Sequence, residues 1–254
     1  MGIQQEVEMY WEGEAELYSE GIQKELNGFQ REAWLKLILT NAPQKERLHV
    51  LDIGCGPGFF SVILSSAGHL VTAIDCTDNM LEEARAHSIR EGVTVTFRKM
   101  DSHKLDFAAE SFDLIVCRNV TWSLTDPLSA YKEWRRVLKP GGRLLVFDAN
   151  WNRHLWDEEM QQKRVEDQQT YVDKGFGELP HHKDIEETDR LSLVLPLTRE
   201  WRPECDIRTL KKEGFANIFA EENLNAKILD AKQQVLNRST PMFMICADSE
   251  NLHI

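Results

Sequence analysis

Apolar residues follow two different spacings along the chain. Near the N-terminus they recur at steps of three and four, the period of one helix face, at Val7, Trp11, Ala15, Tyr18, Ile22, Leu26 and Phe29. A second helix is expected over residues 30–40. Beyond it, short apolar runs are separated by segments of helical period. The pattern predicts two helices followed by a regular alternation of strands and helices.

The short apolar runs predict a parallel sheet. They lie at residues 48–53, 70–74, 94–97, 113–117 and 142–148. Parallel strands need crossover connections, and right-handed crossovers place helices on both faces of the sheet. Asp78 is expected to cap one of these helices, which stops at Gly92, and Asp126 followed by Pro127 is expected to begin another. The fold class is therefore α/β and doubly wound.

The composition changes after the fifth strand. Residues 151–190 are rich in charged and amide side chains, which predicts an insertion folded as one long surface helix. The apolar run at residues 191–197 then favours a strand. A helix at 206–213, a strand at 216–220, an amphipathic helix at 225–236 and a strand at 242–247 are expected to follow.

With 254 residues and 42% hydrophobic residues, the chain can bury a full core. We expect one domain over residues 1–254. It comprises an N-terminal helical lid at 1–43, a core at 44–150, an insertion at 151–200 that caps the substrate, and a C-terminal helix and strand pair at 201–254.

Charge and hydropathy narrow the range of partners. The formal net charge of −12 argues against nucleic acid, because such binding depends on Lys and Arg neutralising phosphates. No apolar stretch reaches the length of a membrane span, and the N-terminus lacks the features of a signal peptide. A cytoplasmic protein without a membrane partner, either a monomer or a homodimer, is expected.

A glycine-rich turn follows the first strand. Asp52 precedes three alternate glycines, Gly54, Gly56 and Gly58, and the next strand ends in a second acid, Asp75. Glycines after a strand leave bare backbone for a nucleotide, and an acid after the next strand is suited to a ribose diol. These two pieces together predict an adenosine-containing cofactor.

Charge indicates which kind of adenosine cofactor is bound. The dinucleotide fingerprint G-x-G-x-x-G is not met, because the third Gly comes one residue early and Phe59 takes its place. Asp52 would repel a phosphate, and no Lys or Arg lies between Val50 and Leu81 to offset that repulsion. The turn therefore favours an adenosine without phosphate.

These motifs resemble the class I S-adenosylmethionine-dependent methyltransferases, and among them the small-molecule type of ubiquinone and menaquinone biosynthesis. The acid-x-Gly-x-Gly-x-Gly motif matches residues 52–58, the ribose acid matches Asp75, and the acid after the third strand matches Asp101. The fourth-strand pattern matches residues 112–117 and the turn before the fifth strand matches residues 138–144. The resemblance is close over residues 48–148 and loose at the ends.

The resemblance implies a seven-stranded sheet of order 3-2-1-4-5-7-6 with its last strand antiparallel. It also implies S-adenosylmethionine as cofactor and S-adenosylhomocysteine as product. Asp75 would hold the ribose hydroxyls, Asp101 would accept from the adenine amino group, and Asp52 would support the methionine ammonium. The full set of implied cofactor residues is Tyr18, Asp52, Gly54, Cys55, Gly56, Asp75, Cys76, Met80, Met100, Asp101, Ser102, Cys117, Arg118 and Asn119.

The acceptor is less well specified, because a sulfonium is already an activated methyl donor and needs mainly alignment from the protein. No catalytic residue is predicted. The Asn/Asp-Pro-Pro-aromatic segment of related amine and amide methylases is absent after the fourth strand, where residues 119–122 read Asn-Val-Thr-Trp. The candidates for substrate contact are Trp122, Trp151, His154 and Arg199, with His181 and His182 as further candidates for a base or metal contact.

Several alternatives remain open from the sequence. Cys55, Cys76 and Cys117 end predicted strands and could face the cleft as soft ligands, but small buried thiols filling turns are favoured, and no metal is predicted. The predicted activity is methyl transfer to a small molecule by direct in-line displacement. A protein methylase, a non-catalytic cofactor-binding protein and, more distantly, a nicotinamide oxidoreductase are the alternatives.

Overall fold

A computed structural model describes residues 2–179 and 185–250. Seven strands form one sheet in the order β3-β2-β1-β4-β5-β7-β6. The strands are β1 His49–Ile53, β2 Leu70–Asp75, β3 Thr96–Lys99, β4 Phe112–Arg118, β5 Leu138–Asp148, β6 Phe215–Glu221 and β7 Phe243–Ser249.

Strand direction confirms the predicted fold class. β1 pairs in parallel with β2 and β4, β2 with β3, and β4 with β5, whereas β7 runs antiparallel to both β5 and β6. The strand order reverses beside β1, since β2 lies on one side of it and β4 on the other. In open α/β sheets a crevice forms at this point, outside the carboxyl ends of the strands.

Helices cover both faces of the sheet. They are α1 Ile3–Asn27, α2 Gln30–Asn41, α3 Phe59–Ser66, α4 Asp78–Arg90, α5 Pro127–Val137, α6 Glu158–Asp173, α7 Ile185–Val194, α8 Glu204–Lys212, α9 Asn225–Ile228 and α10 Ala231–Leu236. Across residues 2–179 and 185–250, no helix combines the length and the apolar character that a bilayer crossing requires.

The central strands are apolar on both faces, and successive residues point to opposite sides of the sheet. In β4, Leu114 joins the core beneath α1, α2 and α3, whereas Ile115 joins the core beneath α5 and α8. On the first side, the rings of Trp34, Phe60 and Phe147 meet edge to face, with centroids 5.1 to 5.5 Å apart. Two apolar layers therefore hold the sheet that positions the site.

Two of the predicted helix starts have different outcomes. Asp126 caps α5 as expected, because its side chain accepts from the Ser129 amide and Pro127 occupies the first turn. For α4 the prediction was wrong, since the N-cap is Thr77 and Asp78 is the first helical residue. The Thr77 hydroxyl donates to the carboxylate of Asp75, the last residue of β2, at 2.8 Å. It therefore does not cap α4 through its side chain.

The insertion differs from its prediction. Residues 151–190 do not form one long helix; a 3-10 turn, α6 and the start of α7 occupy the described part of this stretch. The predicted strand at 191–197 is wrong as well, because α7 continues to Val194. Leu191 and Leu195 are buried against Val7 and Trp122. Their spacing of four residues is that of one helix face, not that of a strand.

The C-terminal part contains two further corrections. The predicted helix at 225–236 is two short helices, because Leu229 turns extended and Asp230 starts α10 through a capping box with Gln233. β5 begins at Leu138 rather than at residue 142. Its pairing with β4 shifts register between Phe112 and Leu114, which accommodates the Pro-Gly-Gly segment inside the strand.

A buried ionic network fastens the end of β5 to α8. The Arg202 guanidinium donates to Asp206 at 2.8 Å and to Asp148 at 3.1 Å, and both of its partners are fully buried. Asp206 also accepts from the Tyr131 hydroxyl, and Asp148 accepts from the Thr121 hydroxyl. Because every charged group here has partners, the network tolerates a burial that an isolated charge would not.

We predict that Arg202→Met strongly destabilises the fold, because it leaves two carboxylates buried without their cation. Breaking a buried pair from one side costs about 3–5 kcal/mol of unfolding free energy. Arg208→Met is the matched control, since Arg208 is 68% exposed and lies 3.7 Å from Glu200. It should change the free energy of unfolding by less than about 1 kcal/mol. Urea unfolding followed by tryptophan fluorescence measures both, and equal losses would contradict the prediction.

Candidate functional site

A cavity lies at the carboxyl ends of β1, β2 and β4, beneath α1. This is the crevice beside the strand-order reversal. Its lining includes residues from the glycine turn, from α1 and from the loops that follow β2, β3 and β4. They are Gln4, Val7, Trp11, Tyr18, Ile22, Asp52, Gly54, Cys55, Gly56, Phe59, Phe60, Ile74, Asp75, Cys76, Met80, Met100, Ser102, His103, Arg118, Asn119, Val120, Ser123 and Leu124.

The glycine turn forms the floor of the cavity. Gly54 has φ +60°, and a Cβ there would lie 2.5 Å from Cγ2 of Val120. Gly56 has φ +50°, but a Cβ there would make only ordinary van der Waals contact, at 3.8 Å from Tyr18 and Met80. Only glycine adopts such angles without strain, and its bare backbone lets a ligand approach closely. The cradle that the motif predicts is therefore present.

Asp52 is the second-last residue of β1 and is 2% exposed. Its Oδ2 accepts from the Ser61 hydroxyl at 2.6 Å. Burial raises the pKa of the Asp52 carboxyl to about 7, although the Ser61 hydrogen bond and the charge of Arg118 oppose the rise. The cavity thus contains a carboxyl group that titrates near neutral pH.

Asp75 ends β2 on the neighbouring strand. Its Oδ2 accepts from the Gly56 amide at 2.9 Å, which ties the glycine turn to β2. Its Oδ1 accepts from the amide and the hydroxyl of Thr77, at 3.0 and 2.8 Å. Burial raises the pKa of the Asp75 carboxyl in spite of these donors. The carboxylate therefore has a fixed orientation at the wall of the cavity.

Arg118 supplies a cation to the wall, but this cation already has a partner. Its guanidinium donates to Glu25 of α1 at 2.7 Å and lies over the ring of Phe59, 4.7 Å from the centroid. The ion pair joins the end of β4 to α1. The positive charge is therefore offset by a carboxylate from the lid rather than being free for a phosphate.

Asn119 follows Arg118 in a left-handed conformation, with φ +60°. Its Nδ2 donates to the Tyr18 hydroxyl of α1 at 3.2 Å. Its Oδ1 is buried and has no hydrogen-bond partner among the described residues. A strained backbone and an unpaired buried acceptor are costly in an empty site, and such features concentrate where a ligand binds.

A second cavity adjoins the first. Both are lined by Trp11, Tyr18 and Asn119, so these three side chains stand at the junction. The second cavity lies among α1, α6, α7 and the segment after α10. Its other lining residues are Tyr10, Trp122, Trp151, Asn152, Arg164, Gln168, Leu179, Thr188, Asp189, Leu236, Asn237, Ser239 and Thr240.

Most of the residues predicted to contact the cofactor line the first cavity, and two do not. Cys117 is fully buried in the core on the α5 side of the sheet. Asp101 lies outside the lining, because its Oδ1 accepts from His103, with 2.6 Å to Nδ1 and 2.9 Å to the amide. His103, two residues further along the chain, lines the cavity instead.

The predicted substrate residues separate into two groups. Trp122 and Trp151 line the second cavity. His154 lies at its outer edge, where its Nε2 contacts the Arg164 guanidinium. Arg199 lies over the Trp156 ring, 5.0 Å from the centroid, and borders neither cavity. His181 and His182 lie outside the described residues.

Sequence reasoning missed several residues at the site. Trp11 was identified only as part of the apolar face of the first helix, yet it borders both cavities. His103 was not singled out. The local pattern that could have indicated it is a histidine two residues after Asp101, the acid that follows the third strand. Phe59 and Phe60 line the first cavity from the start of α3, where the motif analysis noted only that Phe59 replaces a glycine.

Cys55 and Cys117 are buried and Cys76 is half-buried. Burial raises the pKa of Cys55 and Cys117 well above the ordinary value for a thiol, and it also raises that of Cys76. Within residues 2–179 and 185–250, no group of three or more His, Cys, Asp or Glu side chains is placed to hold a metal ion.

Comparison with known proteins places this geometry in context. Residues 51–146 match the family model described as a methyltransferase domain. The ubiquinone biosynthesis O-methyltransferase of Coxiella burnetii is 32% identical over 104 residues, which cover 41% of this chain and 44% of that protein. The enzyme of the same name from Haemophilus ducreyi is 36% identical over 106 residues, covering 40% and 45%. The chain thus matches less than half the length of these curated relatives.

A solved structure extends the likeness over most of the chain at the level of the fold. Phosphoethanolamine N-methyltransferase 2 of Haemonchus contortus was solved with phosphomonomethylethanolamine and S-adenosylhomocysteine. It superposes with a TM-score of 0.59 and 19% identity, over 91% of this chain and 57% of that one. At this identity the likeness concerns the fold alone.

Proposed function

We propose that the protein is a class I S-adenosylmethionine-dependent methyltransferase that transfers a methyl group to a small molecule, because residues 51–146 match a methyltransferase domain model and the sheet has the strand order that the family resemblance implies. One observation carries the proposal. The cavity at the reversal of strand order combines a bare glycine cradle with two buried carboxylates, Asp52 and Asp75, and opens beside a second, aromatic cavity.

The charges of the first cavity suit a cationic nucleoside better than a phosphorylated one. Asp52 and Asp75 are buried in its wall, and the guanidinium of Arg118 is already paired with Glu25. A phosphate would be repelled by both carboxylates, whereas a sulfonium and an ammonium would be attracted. S-Adenosylmethionine carries both of these cations and no phosphate, so the residues fit this cofactor.

Each part of the cofactor has a candidate partner. We assign the ribose hydroxyls to Asp75 and the methionine ammonium to Asp52, with the glycine cradle along the methionine chain. Met80, Met100 and the His103 ring border the adenosine end. His103 replaces Asp101 in this assignment because the Asp101 carboxylate faces the imidazole.

The chain's contribution to the reaction is alignment. When bound, S-adenosylmethionine supplies an activated methyl group, and its carbon–sulfur bond breaks with the electron pair kept on sulfur to give S-adenosylhomocysteine. Tyr18 and Asn119 stand where the two cavities meet, so they border the point where an acceptor heteroatom would face the methyl carbon. Holding two reactants in line in this way contributes roughly 7–11 kcal/mol to lowering a barrier.

A small-molecule acceptor is favoured over a protein. The second cavity is walled by Trp122 and Trp151 and closed on other sides by α6 and α7. A concave, mainly apolar pocket with a few polar groups is typical of small-ligand sites. The names of the matching relatives, ubiquinone biosynthesis O-methyltransferases, point to the same class.

The proposal is tested by incubating the purified protein with methyl-labelled S-adenosylmethionine and a fractionated cell extract. We expect label in a low-molecular-mass product, identified by mass spectrometry. Label that appears only in proteins would support the protein-methylase alternative. Binding of the cofactor without any labelled product would support a non-catalytic protein.

We predict that Asp75→Asn weakens S-adenosylmethionine binding, because the amide removes the charge that the ribose hydroxyls would meet. Losing a hydrogen bond to a charged group corresponds to roughly a ten- to hundredfold rise in Kd. Asp78→Asn is the matched control, since this exposed carboxylate pairs with Lys99 outside the cavity. Calorimetric titration measures both, with thermal melts confirming that each variant is folded. Unchanged affinity in Asp75→Asn would refute the ribose assignment.

We predict that cofactor affinity increases as the pH rises from about 5.5 to about 7. Burial raises the pKa of Asp52 to about 7, so the carboxyl is mostly neutral at the lower pH and half ionised at the higher one. If only the ionised form attracts the cationic cofactor, affinity changes by up to about tenfold per pH unit below this pKa. Asp52→Asn should flatten the profile, and Ser61→Ala should shift it to higher pH by removing a donor to the charged form. A flat profile for the unaltered protein would contradict the role of Asp52.

A further inference from the structure

The second cavity contains two half-buried charges of opposite sign. Arg164 of α6 and Asp189 of α7 both border it. Neither takes part in a direct ion pair within residues 2–179 and 185–250. The charge of Asp189 nevertheless acts on Arg164, where it opposes the fall in pKa that burial causes, and the Arg164 guanidinium contacts the His154 ring. The two half-buried charges therefore attract each other without a direct salt bridge, and a ligand that carries both charges is suited to join them.

The two charges mark the outer end of the cavity. Arg164, Gln168 and Asp189 also line a smaller opening that faces solvent beside His154. Tyr18 and Asn119 border the opposite end, where the cavity meets the first one. A ligand filling the cavity would therefore have its charged head at the Arg164 end and its reacting end at Asn119.

Between these ends the wall is aromatic. The rings of Trp11 and Trp122 meet edge to face with centroids 6.1 Å apart, and Tyr10 packs against Trp11 at 5.2 Å. Trp151 is held in place because its indole N–H donates to Asp148 at 2.9 Å. Rigid aromatic walls favour a planar apolar body.

We propose that the acceptor is a small molecule with an aromatic body and an α-amino-acid head. Its carboxylate pairs with Arg164 and its ammonium pairs with Asp189. An acceptor with only an anion would be repelled by Asp189, and one with only a cation would be repelled by Arg164. A head carrying both charges satisfies the two side chains at once. This inference rests on the proposed methyl transfer, since the second cavity is taken as the acceptor site.

The reacting end of the ligand has a matching partner. The Oδ1 of Asn119 is buried without a hydrogen bond among the described residues and lies at the junction of the cavities. It accepts a hydrogen bond, so it suits a hydroxyl or an amine N–H at the far end of the aromatic body. The acceptor class is accordingly an aromatic amino acid with a ring hydroxyl or amine.

Three probes that share one hydroxyphenyl body separate the contributions of the head. L-Tyrosine carries both charges, 3-(4-hydroxyphenyl)propionate carries only the carboxylate, and tyramine carries only the ammonium. Each is titrated calorimetrically into the full chain saturated with S-adenosylhomocysteine. We expect L-tyrosine to bind at least about tenfold more tightly than either analogue, because it gains a charge-assisted contact that each of them lacks.

Variants assign each charge to its partner. Arg164→Met should weaken L-tyrosine and 3-(4-hydroxyphenyl)propionate by about tenfold and leave tyramine unchanged. Asp189→Asn should weaken L-tyrosine and tyramine and leave the propionate unchanged. Lys163→Met is the matched control on α6, because Lys163 is exposed and pairs with Glu159 outside the cavity. It should leave all three affinities unchanged.

The amino-acid head is refuted if L-tyrosine binds no better than either analogue, if none of the three binds, or if both cavity variants weaken all three equally. A separate titration with S-adenosylhomocysteine distinguishes failure of the acceptor class from failure of the proposed function. Binding of that nucleoside without preference for L-tyrosine overturns the acceptor class alone. Failure to bind the nucleoside overturns the proposed methyl transfer.

Discussion

The site depends on two carboxylates buried side by side at the ends of neighbouring strands. In the β1–β2 register, Ile53 pairs with Ile74. Asp52 comes just before Ile53 on β1, and Asp75 comes just after Ile74 on β2. Burial raises the pKa of both groups, which means that the fold bears an electrostatic cost at this point. Backbone and hydroxyl donors offset part of the cost, and a cationic ligand would offset more. The same burial disfavours a phosphate, so one constraint determines both the cradle and its selectivity.

α1 completes the site by reaching across the sheet. Glu25 pairs with Arg118, the Tyr18 hydroxyl accepts from Asn119, and Ser19 contacts the buried His87 of α4 at 2.9 Å. These contacts join residues far apart in sequence. They also make α1 a wall of both cavities, so a shift of this helix would change donor and acceptor sites together.

The sequence predicts best what short-range chemistry determines. The glycine turn, the acids that end β1 and β2, and the Asp126 cap of α5 follow from local patterns, and the sheet order follows from the family resemblance. Three features depend on tertiary contacts instead. Leu191 lies in a helix because Val7 and Trp122 bury it, Asp101 faces His103, and Trp11 becomes a cavity wall only once α1 is docked. No local period encodes contacts of this kind.

The residues that line the two cavities come from different parts of the chain. The family match ends at residue 146, after the strands that carry Asp52, Asp75 and Arg118. Trp151, Arg164 and Asp189, which shape the second cavity, all lie beyond that boundary. Family likeness therefore concerns the donor side, whereas the acceptor side has to be understood from its own charges and rings. Because Arg164 and Asp189 lie on different helices, α6 and α7, the head-group site depends on how these helices pack against α1. In the proposed reaction, specificity for the acceptor would therefore come from α1, α6 and α7, and selection of the donor would come from the core.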